Sequence, residues 1–287
     1  MQLPTTPQVV ACIDGSKLTE AVCDYAAWIS KKTQAPLTLL HTINHHHESA
    51  PKTDASGAIG LGAQEHLREE ITELEEHHNR QKMMEGKFLL REAKNRVIAD
   101  GIDKPLSTQR HGDLVEVVIE IEEHIRVLVL GMRGQVHQDQ PDQIGEKLET
   151  VIRSLHKPIL IVNQAFKQPQ RIMLAYDGSK AAEKAVEMVA ASPLYKDLIC
   201  HLVCVNKDKS LLARAAGKLK SAQCADLIPV HLSGSKTEEV LCNYQQQQDI
   251  DLIVMGAFGH SRLHDMLLGS FTHKMLLKAQ KPLLLLR

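Results

Sequence analysis

The sequence is poor in aromatic residues: one Trp, four Tyr and four Phe, 3% of 287 residues. Such scarcity argues against the stacking platforms on which single-stranded nucleic acids lie. It has no excess charge of either sign: 34 Lys and Arg stand against 35 Asp and Glu, a formal net charge of −1. No general attraction to nucleic acid or anionic lipid is therefore expected. The apolar runs fall far short of the roughly 20 residues a membrane span needs. The opening MQLPTTPQVV has neither the basic region nor the long apolar core of a secretory signal. Of six cysteines (Cys12, Cys23, Cys200, Cys204, Cys224 and Cys242), none forms a Cys-x-x-Cys pair and most sit in apolar stretches. That is how reduced core thiols are placed, and it points to a reducing compartment, the cytoplasm.

What is present repeats itself. Residues 8–14 (QVVACID) read as a buried strand ending in Asp14-Gly15-Ser16, followed by a helix over 18–30 and a strand over 36–43. Residues 171–177 (RIMLAYD) end in Asp177-Gly178-Ser179, followed by a helix over 181–191 and a strand over 198–205. Further on, Gly112-Asp113-Leu114 corresponds to Gly234-Ser235-Lys236, the strand over 127–130 to that over 252–255, and HKPILIV at 156–162 to QKPLLLL at 280–286. A repeat this long signals duplicated domains rather than a solenoid. The join falls in the polar stretch 164–170, giving domains 1–165 and 166–287. Short apolar strands alternating with helices predict parallel sheets covered on both faces, each half a doubly wound β-α-β-α-β-α-β unit. The closing strands 158–162 and 282–286 would be apolar edges, and pairing them with each other would cover both. Only the first half carries an insertion, at about 45–85. It includes His45-His46-His47 and runs into a charged amphipathic helix over 63–100 with a break near Gly86.

The stretch with the most chemistry is 251–287. A strand ends at Gly256, and Gly259, Gly269 and Ser270 follow in the spacing Gly-x2-Gly-x9-Gly-Ser, with Ser270 opening a helix. Glycine lets backbone N–H groups approach a ligand, and a helix start offers free N–H groups and partial positive charge. The carboxyl end of a strand is where open parallel sheets bind ligands. In the first half the pattern degenerates: Gly131 and Gly134 are kept, ten residues precede Gly145, and Glu146 replaces Ser270. A carboxylate there suits the helix dipole but repels a phosphate. Arg133 is the one group nearby that would favour an anion.

These motifs (the Asp-Gly-Ser strand ends, the glycine loop and the terminal Lys-Pro-apolar strand) resemble the universal stress protein family in its tandem two-domain form. The resemblance covers nearly the whole chain apart from the insertion. It implies an adenine nucleotide alpha-hydrolase-like α/β fold and ATP binding by the second domain, magnesium accompanying the nucleotide being possible. By position, Asp177 would contact the adenosine, and Ala175 and Tyr176 would line the base pocket. Cys204 or Val205 would offer backbone hydrogen bonds to adenine. Gly256, Phe258 and Gly259 would frame the ribose and phosphates. Gly269, Ser270, Phe271 and Thr272 would hold the phosphates. It also implies that pairing of the closing strands mimics the homodimer of single-domain members, with protein partners left open.

No catalytic residue is identified: no base is placed to activate water, so the chain reads as no dedicated enzyme, or at most a slow ATPase. His260, His264 and Asp265 fall inside the glycine loop, where solvent-facing roles are the simplest reading. The histidine-rich loop lacks metal-ligand spacing, so no metal site is assigned. A nucleotide-free interaction or scaffold protein is the alternative to a stress-response protein that binds and senses ATP.

Overall fold

The computed structural model describes residues 6–43, 61–134, 145–220, 224–257 and 269–287, with main chain alone for 61–75 and Glu146. The first half contains β1 (Gln8–Cys12), α1 (Thr19–Thr33), β2 (Leu37–Ile43), α2 (Leu61–Ala99), β3 (Leu106–His111), α3 (Leu114–Glu120), β4 (Ile125–Gly131), α4 (Glu146–Ser154) and β5 (Ile159–Val162). The second contains β6 (Arg171–Ala175), α5 (Lys180–Ala191), β7 (Ile199–Val205), α6 (Lys209–Leu219), β8 (Asp226–Leu232), α7 (Thr237–Gln247), β9 (Leu252–Gly256), α8 (Ser270–Lys278) and β10 (Leu283–Leu286).

The strands form one sheet in the order β3-β2-β1-β4-β5-β10-β9-β6-β7-β8. All pairings are parallel except β5 with β10, which run antiparallel with Leu284 opposite Leu160. Among the described residues each half thus has five strands, one more than the alternating apolar runs predicted. The additional ones, β3 and β8, are the outer edges. Their residues are half-buried or exposed, so LSTQRH and DLIPVHL carry no apolar run to read. Pro229, inside β8, is compatible with a strand there because an edge strand has one unpaired side.

Side-chain alternation divides the core into two layers. One lies under α1, α2, α5 and α6 and includes Val9, Trp28, Val97, Leu174 and Leu202. The other lies under α3, α4, α7 and α8 and includes Val10, Leu128, Ile152, Ile253 and Met275. The middle of the sheet is the driest part. Ile159, Leu160, Ile161 and Val162 of β5 and Leu283 of β10 have no solvent exposure, and burying each such side chain contributes about 1.5–3 kcal/mol.

One correction concerns α2. It runs unbroken through Gly86 rather than breaking there. The glycine serves packing: a Cβ at Gly86 would strike the Gln109 side chain and lie 2.5 Å from His41 Cδ2. The helix crosses β2 and β3 closely enough that a larger residue would have to displace the Gln109 and His41 side chains. The His45–His47 stretch lies outside the described residues.

The segment joining the halves is pinned from both sides. Asp251, buried, accepts from Lys167 Nζ at 2.7 Å and from the backbone N–H groups of Gln170 and Arg171. The Phe166 ring packs edge-on against Tyr25 of α1 at 4.8 Å. At the seam, Asn163 Nδ2 donates to the Ala279 and Lys281 carbonyls at the end of α8. Arg287 donates to the Arg153 and Leu155 carbonyls at the end of α4. Each half therefore closes the carboxyl end of the other's last helix.

Candidate nucleotide-binding site

The carboxyl ends of β6, β7 and β9 lie side by side. Ala175, the last residue of β6, is in register with Val203 of β7 and Met255 of β9. Beyond Ala175 the chain turns at Asp177-Gly178-Ser179. Asp177 is exposed, and its Oδ1 accepts from Ser179 N–H at 2.9 Å, while Ser179 caps α5 by accepting from Ala182 N–H at 3.2 Å. Gly178 sits at φ +79° with Leu211 of α6 3.2 Å from where a Cβ would be. Only glycine takes that conformation cheaply. The first half repeats the turn: Gly15 at φ +77° faces Leu89 of α2 at 3.2 Å, and Asp14 Oδ1 accepts from Ser16 N–H.

Ala175 and Tyr176 part company at the end of β6. Strand alternation sends the side chains of Ala175 and Tyr176 to opposite faces. Ala175 packs with the layer under α7 and α8, whereas Tyr176 is buried under α5 and α6. Its hydroxyl hydrogen-bonds Glu183, which also takes Arg214 at 2.9 Å and Lys218 at 2.8 Å. The Lys218 ammonium, then the Tyr176 hydroxyl and Arg214, hold the Glu183 carboxyl down to about 2. The Tyr176 side chain is thus engaged at the back of the turn, on the face opposite Ala175. Cys204 and Val205 divide in the same way: both are buried, one in each layer, so they present backbone.

Gly256, the end of β9, is fixed by packing. A Cβ there would lie 2.5 Å from the Ala181 carbonyl carbon and oxygen and 2.8 Å from Ala182 N, so the start of α5 rests on it. Gly269 is different. It is exposed, at φ −52°, and the atom nearest to where its Cβ would stand is Thr272 Oγ1, 3.9 Å away. Among the described residues no side chain caps α8, so the first N–H groups of Ser270 and Phe271 face outward without that partner. Ser270 is exposed, Phe271 half-buried and Thr272 buried. Phe258 and Gly259, like His260, His264 and Asp265, lie outside the described residues.

Ser270 and Phe271 line a cleft of about 450 Å³ with Lys274 and, from the start of α7, Ser235, Lys236, Thr237 and Glu238. The α7 residues were not singled out from the sequence as ligand-facing. The signal was the Gly234-Ser235-Lys236 correspondence, which reads as a turn unless the neighbouring helix start is known. Lys236 pairs with Glu239 at 2.9 Å and Lys274 with Glu238 at 3.5 Å. Glu238 stays below the ordinary carboxylate value because its own backbone N–H and then Lys274 and Lys278 favour its charge.

The equivalent place in the first half is bridged. Asp113 caps α3 through Val115 N–H at 2.8 Å and pairs with Lys147 of α4 at 3.3 Å. That ion pair joins the starts of α3 and α4, as Glu238 with Lys274 joins α7 to α8 in the second half. Among the described residues no group of three or more His, Cys, Asp or Glu is placed to hold a metal, and no helix is long and apolar enough to cross a membrane.

A doubly wound α/β sheet covered by helices on both faces, with glycine turns at its strand ends and a cleft between helix starts, defines the class of the fold. Within that class, the model of the universal stress protein family matches residues 6–163 and 205–287, and the chain belongs to that family. It is 31% identical over 284 residues to universal stress protein Slr1230 of Synechocystis sp., covering 97% of this chain and 99% of that one. Among solved structures, a universal stress protein from Archaeoglobus fulgidus superposes with a TM-score of 0.73 at 19% identity, over 99% of both chains. A functionally unknown protein from Pseudomonas aeruginosa PAO1 does so with a TM-score of 0.59 at 14% identity, over 98% of this chain and 92% of that one.

Proposed function

We propose that this chain is a stress-response protein whose second domain, residues 166–287, binds ATP, and that the first, residues 1–165, has lost that capacity. The observation that carries the reading is the contrast between the two halves: α8 opens on Ser270, which lines a cleft with Phe271, whereas α4 opens on the carboxylate Glu146. In this reading the adenosine lies along the ends of β6 and β7, against Asp177 and the backbone of Cys204 and Val205. The phosphates lie at Gly269, Ser270, Phe271 and Thr272, beyond Gly256, with Phe258 and Gly259 in the connecting loop. Helix-start N–H groups suit phosphate oxygens. Efficient hydrolysis is not part of this reading. Pairing of β5 with β10 takes the place of a second subunit. Six unbridged cysteines support a reducing compartment, the cytoplasm.

Calorimetric titration of ATP with magnesium into the wild-type chain and a Gly269→Glu variant tests this. A single nucleotide per chain, lost in the variant, is expected. Two per chain would overturn the assignment of the first half, and no binding would overturn the nucleotide reading and favour an interaction protein.

A further inference from the structure

The cleft carries a charge pattern that the glycine loop does not account for. Two lysines line it from different helices, Lys236 just before α7 and Lys274 one turn into α8, beside Ser270 and Phe271. Each has a carboxylate partner in α7. Lys236 Nζ lies 2.9 Å from Glu239 Oε1, and Lys274 Nζ lies 3.5 Å from Glu238 Oε1. Lys278, one turn further along α8, stands outside the cleft lining, yet its Nζ reaches both carboxylates, Glu239 at 2.9 Å and Glu238 at 3.8 Å. Its hydrogen bond is the first cause that holds Glu239 below the ordinary carboxylate value, ahead of the one from Lys236. The two α8 lysines have no counterpart in the first half. Where α8 begins at Ser270, α4 begins at Glu146, so Thr150 and Ser154 take the places of Lys274 and Lys278.

We infer that Lys236 and Lys274 set the specificity of the site for a nucleoside triphosphate: they exchange Glu239 and Glu238 for its terminal phosphate, while Lys278 keeps both carboxylates paired. This rests on the nucleotide reading above and goes beyond it, since that reading places phosphates along the start of α8 and gives no lysine a role. The Lys236 and Lys274 side chains are 62% and 54% exposed, so turning them into the cleft uncovers no core. The Glu238 side chain is only 8% exposed, and a carboxylate so enclosed is costly to leave without a cation. Lys278 removes that obstacle, because its ammonium already stands within reach of both carboxylates. An ammonium against a phosphate oxygen makes a charge-assisted hydrogen bond, stronger than one between neutral groups. Here two of them approach from helices on either side of the cleft. A diphosphate held at the same α8 N–H groups has no further phosphate to offer them.

Calorimetric titration of ATP, ADP and AMP at fixed magnesium into the full wild-type chain and into Lys236→Met, Lys274→Met, Lys274→Arg and Lys278→Met tests this. The wild type is expected to bind ATP more tightly than ADP. Lys236→Met and Lys274→Met should each weaken ATP about tenfold and leave AMP within about twofold. Undiminished AMP affinity shows in the same experiment that each variant is folded. Lys274→Arg should recover most of the ATP affinity, because it restores the charge. Lys278→Met, outside the cleft, should weaken ATP about threefold, since Glu238 and Glu239 then compete for the two cleft lysines. An ATP-to-ADP preference that survives both cleft variants would overturn the inference and leave nucleotide binding standing. Equal weakening of ATP, ADP and AMP would also overturn it, because it marks a structural role. A wild type that binds no nucleotide would overturn the underlying reading and this inference together.

Discussion

At the scale of single residues, the glycines separate by what surrounds them. Gly256 carries the start of α5 on its missing side chain, with Ala181 backbone atoms 2.5 Å from a Cβ. Gly256→Ala is expected to lower stability by about 1–3 kcal/mol, the usual effect of forcing atoms into a packed place. Among the described residues, a Cβ at Gly269 would meet only Thr272 Oγ1, at an ordinary contact distance of 3.9 Å, so Gly269→Ala is expected to stay within about 0.5 kcal/mol of the wild type. Urea unfolding of both variants checks the contrast, and equal losses would contradict it. If it holds, loss of ATP from a Gly269 variant reports on binding and not on folding. The sequence shows both residues as members of one motif and cannot distinguish them. Spacing records where glycine stands, whereas the reason for it lies in what a distant segment, here α5, brings against it. The same holds for Tyr176: its place at a strand end was legible, but its attachment to Glu183, Arg214 and Lys218 depends on helices that follow it.

At the scale of elements, legibility tracked burial. The central strands are dry on both faces and announce themselves as apolar runs. The outermost strands β3 and β8 are wet on one side and were hidden in LSTQRH and DLIPVHL. Helix α2 was recognised, but Gly86 suggested an interruption because a helix gives glycine no evident use until β2 and β3 are packed beneath it. The packing of α5 on α6 carries a pH signature. Glu183 is held at about 2 in the folded chain against an ordinary 4.5. A depressed carboxylate stabilises the fold fully above its unfolded value, and that contribution fades as the pH falls from about 4.5 through about 2. Glu183→Gln should therefore be less stable than wild type near neutrality, with the gap narrowing over that interval. Urea midpoints measured across the interval check this, and a gap independent of pH would refute the charge assignment.

At the scale of the whole molecule, the seam decides cooperativity. Asn163 reaches the end of α8, Arg287 reaches the end of α4, and Asp251 holds the joining segment. Asn163→Ala removes two such hydrogen bonds and is expected to cost about 1–2 kcal/mol. Because Trp28 is the one tryptophan and lies in the first half, its fluorescence reports that half, while far-ultraviolet circular dichroism reports both. In Asn163→Ala and Arg287→Ala the two midpoints should fall together. A Trp28 transition left behind would show that the seam does not couple the halves.

The reversal of strand direction between β5 and β10 has an evolutionary corollary. It turns the two sets of strand ends toward opposite rims of the sheet. An interface between identical copies must match one sequence to itself, and it dissolves on dilution. Here the facing strands are encoded separately, ILIV against LLLL, and the tether keeps them together at any concentration. A substitution on one rim is inherited by that rim alone. One rim carries Glu146 at the start of its last helix and the other Ser270 beside a cleft, so every molecule is asymmetric in the same way.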